Sequence, residues 1–361
     1  MASKEAMTNR ERFHAIVNFQ PVDRLPVVEW ASWWDQTVRR WEGEGLPTGL
    51  DRYALCDFFG LDVWWQDWIQ ALRRDAPQPV SHGSGIMASE ADYARIKPYL
   101  FPMDAYGPVN AETWQAAAVH QQRGSRVLWF SVDGFFWFAR RLLGIERHLY
   151  AFYDQPELLH RINSDLADWM LRVVDRICAV TTPDFMTFAE DMSYNNGPML
   201  SEELFDTFLL PYYRRVVPAL LERGIVPIVD SDGDITRAAP WFERAGLRGI
   251  LPLERQAGVD LALLRRNHPR MVWVGAYDKM VMNKGEAAIE AEFDRLLPVA
   301  RRGGVIVSCD HQTPPGVSLD AYRAYLRQFR AFAVRGGTRS SGAAQLSATA
   351  DSLLAGSHAM R

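Results

Sequence analysis

The chain has 361 residues, of which 48% are hydrophobic and 23% are charged, and its formal net charge is −4. This composition is typical of a globular protein with ample material for a large apolar core. Because basic residues are not in surplus, the composition argues against nucleic acid and against anionic membranes as partners.

The cysteines and the N-terminal residues indicate a cytoplasmic protein. Cys56, Cys178 and Cys309 are far apart and odd in number, which predicts free thiols in a reducing compartment rather than a disulfide framework. The first residues are charged and lack the apolar stretch of a signal peptide. The sequence contains no run of about 18 apolar residues, so no membrane span is predicted.

Short apolar runs bounded by turn residues alternate with longer helical patterns along the chain. A run that is apolar throughout is typical of a parallel strand that is buried on both faces of a sheet. The predicted strands are Leu25–Trp30, Val127–Val132, Phe185–Ala189, Val226–Asp230, Gly249–Leu253, Met271–Ala276 and Val305–Cys309.

Helices are predicted between these strands. The apolar residues of Pro156–Cys178 recur at helical spacing, with a proline at the start. Ser201 and Ser318 are expected to cap two later helices, because serine oxygens accept hydrogen bonds from the first turn. Asn283 and Glu286 have the spacing of a capping box before the helix that precedes the last strand.

Two segments depart from the strand–helix alternation. Residues 31–125 do not follow one simple unit, and we predict an insertion of helices and loops over the mouth of the fold. Residues 336–361 are rich in Gly, Ser and Ala, a composition typical of a flexible tail. The predicted organisation is therefore a single domain at 1–335 and a tail at 336–361.

Repeated strand–helix units after residue 180 predict an α/β fold with a parallel sheet. An open doubly wound sheet satisfies the same pattern, but no Gly-x-Gly-x-x-Gly turn follows any predicted strand. Polar residues also recur at the C-terminal ends of successive strands, which is where barrel enzymes have their active sites. We therefore predict a (β/α)8 TIM barrel.

Acidic residues follow the ends of most predicted strands. In a barrel these ends face a common cavity. A buried carboxylate there must bind a proton, a donor or a cation. Crowded carboxylates raise one another's pKa values or hold a metal ion. The groups at these ends are Glu190, Asp191, Asp230, Asp232, Glu254, Asp278, Asp310 and His311, together with the thiol of Cys309.

Each of these residues also has a purely structural interpretation. Glu190 and Asp191 would then cap the next helix or pair with Arg214 or Arg215, and Glu254 would pair with a neighbouring arginine. Cys309 would be a buried apolar side chain, and His311 would be a satisfied structural histidine.

Tryptophan is abundant, and seven of the thirteen tryptophans lie before residue 70. Packing in the core is one interpretation of them. The other is that Trp30, Trp33 and Trp34 form an aromatic wall for a flat ligand.

Three segments carry a family resemblance. Residues 7–27 contain a helical pattern followed by Pro-x-Asp-Arg-x-Pro, and residues 188–217 lead from an acidic strand end through Gly-Pro to Ser-x-Glu-x-Phe. Residues 303–330 contain the last strand, Cys309-Asp310-His311 and the last helix. Together they resemble the uroporphyrinogen decarboxylase superfamily over about residues 7–333, which implies a (β/α)8 barrel.

The superfamily has two branches that this sequence must be compared with. True decarboxylases carry Arg-Gln-Ala-Gly-Arg just after the first strand, and these arginines hold the carboxylates of the substrate. Residues 29–35 here read Glu-Trp-Ala-Ser-Trp-Trp-Asp, which would repel an eight-carboxylate porphyrinogen. The cofactor-free decarboxylase is therefore kept as the alternative, and the corrinoid-dependent methyltransferases are preferred.

In the coenzyme M enzymes of that second branch, zinc is held by His-x-Cys after the middle strand and by a later cysteine, and it activates a thiol. The matching positions here are Asp230, Asp232 and Cys309. Zinc accepts carboxylate oxygens, and an oxygen-rich site suits an oxygen substrate better than a thiol. The resemblance thus implies a corrinoid-linked, zinc-dependent methyltransferase of the O-demethylase type, acting on a small methoxy compound.

The resemblance also assigns roles to other residues. Glu190, Asp191 and His311 would handle protons, a separate corrinoid protein would be the partner, and the chain would form a homodimer. A ligand-binding barrel without catalysis is the second alternative. The predicted substrate-binding residues are Trp30, Trp33, Trp34, Asp133, Tyr194, Glu254 and Asp278.

Overall fold

The computed structural model describes residues 6–103 and 109–338. The strands in these ranges are β1 (Val63–Ile69), β2 (Arg126–Asp133), β3 (Phe185–Ala189), β4 (Ser193–Tyr194), β5 (Gly197–Pro198), β6 (Val226–Asp230), β7 (Gly249–Leu253), β8 (Val272–Tyr277) and β9 (Val305–Cys309). Seven of them form a parallel sheet in the order β1-β2-β3-β6-β7-β8-β9, and β4 and β5 form a small antiparallel hairpin. The polar residues that follow each parallel strand therefore lie at one edge of the sheet.

Helices separate the parallel strands, as the alternating pattern predicted, so the chain has an α/β fold. The helix predicted at 156–178 has the observed bounds and buries one apolar face. The α-helices of the described residues are α1 (Asn9–Val17), α2 (Asp35–Gly43), α3 (Arg52–Phe58), α4 (Glu90–Ile96), α5 (Ala111–Gln122), α6 (Phe135–Leu143), α7 (Ile145–Asp154), α8 (Pro156–Cys178), α9 (Glu202–Phe208), α10 (Leu210–Glu222), α11 (Ala239–Arg244), α12 (Leu261–Asn267), α13 (Glu286–Ala300) and α14 (Leu319–Arg335).

The apolar runs identified most of the parallel sheet. Strands β3, β6, β7 and β9 have the predicted bounds, β2 is longer by one residue at each end, and β8 is displaced by one residue. Nearly every residue of these strands is buried. Burial on both faces is the reason why a continuous apolar run was a sufficient signal.

The prediction of a strand at Leu25–Trp30 is wrong, because this segment is buried but forms no strand. Val27 exchanges two hydrogen bonds with Asp62, whose backbone N–H donates to the Val27 carbonyl oxygen at 2.8 Å. At the other end, the indole Nε1 of Trp30 donates to the carbonyl oxygen of Cys309 at 2.9 Å. The segment therefore contacts both edges of the sheet, next to β1 and at β9, through bonds that partly involve side chains.

Strand β1 lies within residues 31–125, where the sequence predicted an insertion of helices and loops. The pattern missed this strand because Gln66 and Asp67 interrupt its apolar run. Asp67 is satisfied there by the indole Nε1 of Trp114 at 2.8 Å. The segment thus supplies an edge strand of the sheet, and the insertion over the mouth stays a prediction for the rest of it.

Helix ends show which capping signals were reliable. Ser201 and Ser318 cap α9 and α14, since their hydroxyl oxygens accept from the N–H groups of Leu204 at 3.2 Å and Ala321 at 3.1 Å. The predicted capping box before α13 is wrong. Gly285 precedes that helix with a φ of 89°, and no side chain caps it.

None of the helices in the described ranges combines the length and the apolar character that crossing a bilayer requires. The predicted tail begins with residues that the structure describes, and Thr338 there donates its backbone N–H to the carbonyl oxygen of Val22 at 2.9 Å. Residues 339–361 of the predicted tail lie outside the described residues.

His148 makes the stability of the fold depend on pH. Its ring in α7 is buried between Phe136 and Phe152, with ring centroids at 4.6 Å and 5.0 Å, and burial lowers its pKa to about 3. Because the folded pKa lies below the unfolded value, this contribution is complete above about pH 6.5 and is lost as the pH falls towards 3.

In the wild type, the free energy of unfolding should fall as the pH is lowered. We expect His148→Phe to reduce the slope of this fall by up to about 1.4 kcal/mol per pH unit. Urea unfolding between about pH 7 and pH 4 measures this slope. His82→Phe, at an exposed histidine, is the control and should retain the wild-type slope. Parallel curves for wild type and His148→Phe would contradict the assignment.

Candidate active site at the strand ends

A cavity of about 340 Å³ opens at the carboxyl ends of the parallel strands. Its walls combine aromatic and acidic side chains with a few other polar groups. The aromatic residues are Trp30, Trp68 and Trp137, the acidic residues are Asp191, Asp230 and Asp232, and Arg52, Gln66 and His311 add further polar atoms.

Two groups of potential metal ligands meet at this cavity. Asp232, Glu254 and His311 each offer one ligand atom, and these atoms all lie within 4.8 Å of one another. The same holds for Asp191, Asp230 and Asp232. The structure thus brings together carboxylates from the ends of β3, β6 and β7 with a histidine after β9, as the sequence predicted.

Asp230 is the most deeply buried acid of the cavity, with 9% of its surface exposed. No side-chain or backbone donor among the described residues bonds to its carboxylate. Burial raises its pKa well above the usual value, and the charges of Asp191 and Asp232 raise it further. A carboxyl group in this position must hold a proton or face a cation.

Asp191 and Asp232 share the electrostatic environment of Asp230. Burial, followed by the charges of Asp191 and Glu254, raises the pKa of Asp232 to about 7. Asp191 has a φ of 39° in the left-handed region, and its carboxylate accepts from the backbone N–H of Asp232 at 3.3 Å. Strained backbone is common at functional sites. The cluster can therefore exchange protons near neutral pH or bind a positive charge.

The Nε2 of His311 lies 3.8 Å from the Oδ2 of Asp232. Burial, with a smaller effect of Lys279, lowers the pKa of its ring, so the neutral imidazole predominates at pH 7. A neutral ring nitrogen is the form that binds metal ions.

The predicted ligand set of Asp230, Asp232 and Cys309 is not brought together. Cys309 belongs to neither ligand group, although it lies in the described part of the chain. Its thiol is buried, and burial together with the Glu29 carboxylate raises its pKa well above the usual value. Side chains of a strand point alternately to its two faces. Cys309 lies on the face that packs near Tyr322 and Tyr325 of α14. The predicted cysteine is therefore replaced in the cluster by His311.

Glu190 is fully buried and does not line the cavity. Its carboxylate accepts backbone N–H groups of Phe135 at 2.9 Å and Phe136 at 2.8 Å, and it also accepts the hydroxyl of Tyr213. Burial raises its pKa to about 7. A Cβ on Gly134 would lie 2.1 Å from its carboxyl carbon, which explains the glycine. Glu190 therefore caps a helix, but this helix is α6, which precedes β3, and not the next helix along the chain that the structural interpretation named.

The predicted aromatic wall is only partly at the cavity. Trp30 lines it, whereas Trp33 is buried against Trp41 and Tyr322, and Trp34 is 45% exposed at the start of α2. Trp68 and Trp137 line the cavity instead and were missed by the sequence analysis. Trp68 lies on the unpredicted strand β1, and Trp137 lies in the first turn of α6, so neither followed a predicted strand end.

The other predicted substrate-binding residues are in varied places. Glu254 is in the first ligand group, and its carboxylate also accepts the N–H of Gly233 at 2.9 Å. Asp133 is buried in an ion pair with Arg141. Asp278 caps a short helical turn through the N–H of Met280 at 2.9 Å. Tyr194 is 51% exposed on the β4–β5 hairpin.

Two basic residues near the site were also missed. Arg52 donates to the Oε1 of Gln66 at 2.8 Å and to the carbonyl oxygen of Trp30 at 2.7 Å. The Nζ of Lys279 lies 3.9 Å from Glu254 and 3.8 Å from Asp310. Both cations are thus already matched by acceptors or carboxylates.

The parallel sheet and the polar cluster at its carboxyl edge define an α/β protein whose site lies where the barrel enzymes have theirs. The family model for uroporphyrinogen decarboxylase (URO-D) matches residues 133–332, which is more than half of the chain. The chain therefore belongs to the uroporphyrinogen decarboxylase family, as its three motifs predicted.

A solved structure supports the same fold. A methyltransferase from Methanosarcina mazei superposes with a TM-score of 0.62 at 14% identity, covering 90% of this chain and 99% of that one. Fungal β-1,4-galactanases give a TM-score of 0.43 at 9% identity, covering 84% and 99%, and L-ribulose 3-epimerase gives 0.40 at 9%, covering 81% and 99%. A comparison with curated protein sequences found no significant match.

Proposed function

We propose that the chain is a corrinoid-linked methyltransferase that removes a methyl group from a small methylated compound. The observation that carries the proposal is the convergence of Asp232, Glu254 and His311 within 4.8 Å at the carboxyl edge of the sheet. Family membership and the fold shared with a methyltransferase from Methanosarcina mazei agree with this reaction class.

The proposal includes a closed (β/α)8 barrel. Residues 25–30 would occupy the eighth position between β9 and β1, since they bond to Asp62 on one side and to Cys309 on the other. Closure of this kind would make the strand ends face one cavity.

Zinc is the metal that this donor set would suit. Two carboxylate oxygens and one imidazole nitrogen are ligand atoms that zinc accepts, with a further position left for water or substrate. Asp232, Glu254 and His311 would hold the ion, and the buried carboxylate of Asp230 beside them has no donor among the described residues. A bound ion would supply Lewis acidity towards a polar atom of the substrate.

The protein's own residues would position the substrate and control protons. Trp30, Trp68 and Trp137 offer flat apolar faces that exclude water from the cavity. Burial and the neighbouring acids raise the pKa of Asp230, so a positive charge that enters the cavity would favour the ionised form of its carboxyl group. Glu190 would act only through α6, whose first turn it caps and which carries Trp137.

The charge of the cavity favours this function over decarboxylation of a porphyrinogen. Three carboxylates line it, against the single guanidinium of Arg52. A substrate with eight carboxylates would need the opposite balance. A barrel that binds a ligand without catalysis is the other alternative, and retained activity and metal content in Asp232→Ala would favour it.

The partner and the location are parts of the same proposal. A separate corrinoid protein would dock over the open end of the strands, and the protein would work in the cytoplasm as a homodimer.

A methyl-transfer assay tests the proposed function. Purified protein loaded with zinc is incubated with free cob(I)alamin and a panel of methoxy and methylammonium compounds, and formation of methylcobalamin is followed by its visible spectrum. We expect transfer from at least one compound above the rate without protein. Failure across the panel, or conversion of uroporphyrinogen in a parallel incubation, would overturn the assignment.

A further inference from the structure

Three tryptophans line the same cavity as the acidic residues. Trp30, Trp68 and Trp137 all line it. The orientation of Trp30 is set by the hydrogen bond from its Nε1 to the carbonyl oxygen of Cys309 at 2.9 Å. Trp137 already holds a cation on its ring, since the guanidinium carbon of Arg140 lies 5.1 Å from the ring centroid. Indole faces are the best aromatic partners of cations, and quaternary ammonium ligands are bound by cages of this kind.

The cavity also has negative charge that the protein does not neutralise. Asp230 is nine-tenths buried at the cavity wall, and none of the described residues donates a hydrogen bond to its carboxylate. Arg52, the basic residue of the lining, is engaged by Gln66 and by the carbonyl oxygen of Trp30. Lys279 lies between Glu254 and Asp310. A positive group is therefore missing beside Asp230.

A metal ion on the first ligand group would not remove this requirement. Such an ion would use Asp232, Glu254 and His311, and the charge of Arg140 acts on Asp191, which leaves Asp230 without a basic partner among the described residues. An ammonium group that carries methyl groups meets both remaining features. Its charge satisfies the carboxylate of Asp230 beside Asp191, and its methyl groups pack against the indole faces without requiring hydrogen-bond acceptors.

We propose that this cavity binds a methylated ammonium cation, held by Asp191 and Asp230 between the faces of Trp30, Trp68 and Trp137. The inference rests on the proposed function and narrows its substrate class from methylated compounds in general to methylammonium compounds. It concerns binding, so it can be tested apart from methyl transfer.

Isothermal titration of the full-length protein with choline and with 3,3-dimethylbutan-1-ol is the test. The two probes have the same shape, but carbon replaces the charged nitrogen in the second. We expect choline to bind at least about tenfold more tightly, because a desolvated cation–π contact and a buried carboxylate both act on the charge. Equal affinity, tighter binding of the alcohol, or no binding of choline would overturn the inference.

Matched variants locate the binding site. Asp230→Asn and Trp68→Leu should each weaken choline at least about tenfold. Trp34→Leu is the control, because Trp34 and Trp68 are similarly exposed, at 45% and 44%, but Trp34 does not line the cavity. Unchanged choline affinity in both Asp230→Asn and Trp68→Leu would place the site elsewhere and overturn the inference.

The methyl-transfer assay separates this inference from the proposed function. If methoxy compounds are demethylated and choline does not bind, the proposed function stands and the ammonium site is refuted. If choline binds with the expected preference and no compound of the panel transfers a methyl group, the ammonium site stands and the proposed function is refuted.

Discussion

Replacement of Asp232 by asparagine is expected to lower the kcat/KM of methyl transfer at least about 100-fold, since even supporting residues around metal ligands change activity by about 10–100-fold. Asp232 belongs to both ligand groups of the cavity, and its pKa near 7 reflects burial and the charges of its acidic neighbours. Asparagine keeps the shape but removes the charge. The measurement is the rate of methylcobalamin formation at saturating cob(I)alamin.

Cys309→Ala is the informative control for this experiment. Cys309 matches a zinc ligand in the family resemblance, but the structure buries it outside both ligand groups. We expect its replacement to leave kcat/KM within a few-fold of wild type. A Cys309→Ala enzyme as inactive as Asp232→Asn, with its thermal midpoint retained, would restore the thiol to the site.

Replacement of Glu190 by alanine is expected to lower the free energy of unfolding by about 3 kcal/mol or more, at roughly 1 kcal/mol for each buried donor left without an acceptor. Three backbone N–H groups of α6 and the Tyr213 hydroxyl lose their acceptor. The variant also removes a negative charge from a helix N-terminus, where it is favourable. Urea unfolding followed by circular dichroism measures the change.

Glu203→Ala is the matched control, because Glu203 is exposed in the first turn of α9. Its effect should stay within about 0.5 kcal/mol. Equal stability of Glu190→Ala and wild type would show that the contacts of Glu190 do not support α6. The carboxylate would then be available for the proton transfer that the sequence first indicated.

The sheet was largely predictable because most of its strands are buried on both faces. Strands β3, β6, β7 and β9 have no exposed polar residue. Their apolar runs therefore predicted the first and last residue of each strand correctly. Strand β1 was not predictable in this way. Its Gln66 and Asp67 are polar and bond to Ser131 and Trp114, which a pattern along one segment cannot anticipate.

The site was predictable in composition but not in geometry. Parallel strand ends share one edge, so Asp191, Asp230, Asp232 and Glu254 could be grouped from their positions alone. The choice between Cys309 and His311 depends on which way each side chain points after the last strand. That direction follows from packing against α14 and from the turn beyond β9, neither of which has a local sequence signal.

The proposed metal site consists of oxygen and nitrogen atoms of Asp232, Glu254 and His311, without sulfur. X-ray absorption spectroscopy at the zinc edge of the loaded protein tests it most directly. We expect only oxygen and nitrogen neighbours at about 2.0–2.2 Å in wild type and loss of bound zinc in Asp232→Asn. A sulfur neighbour at about 2.3 Å, or wild-type protein that retains no zinc, would contradict it.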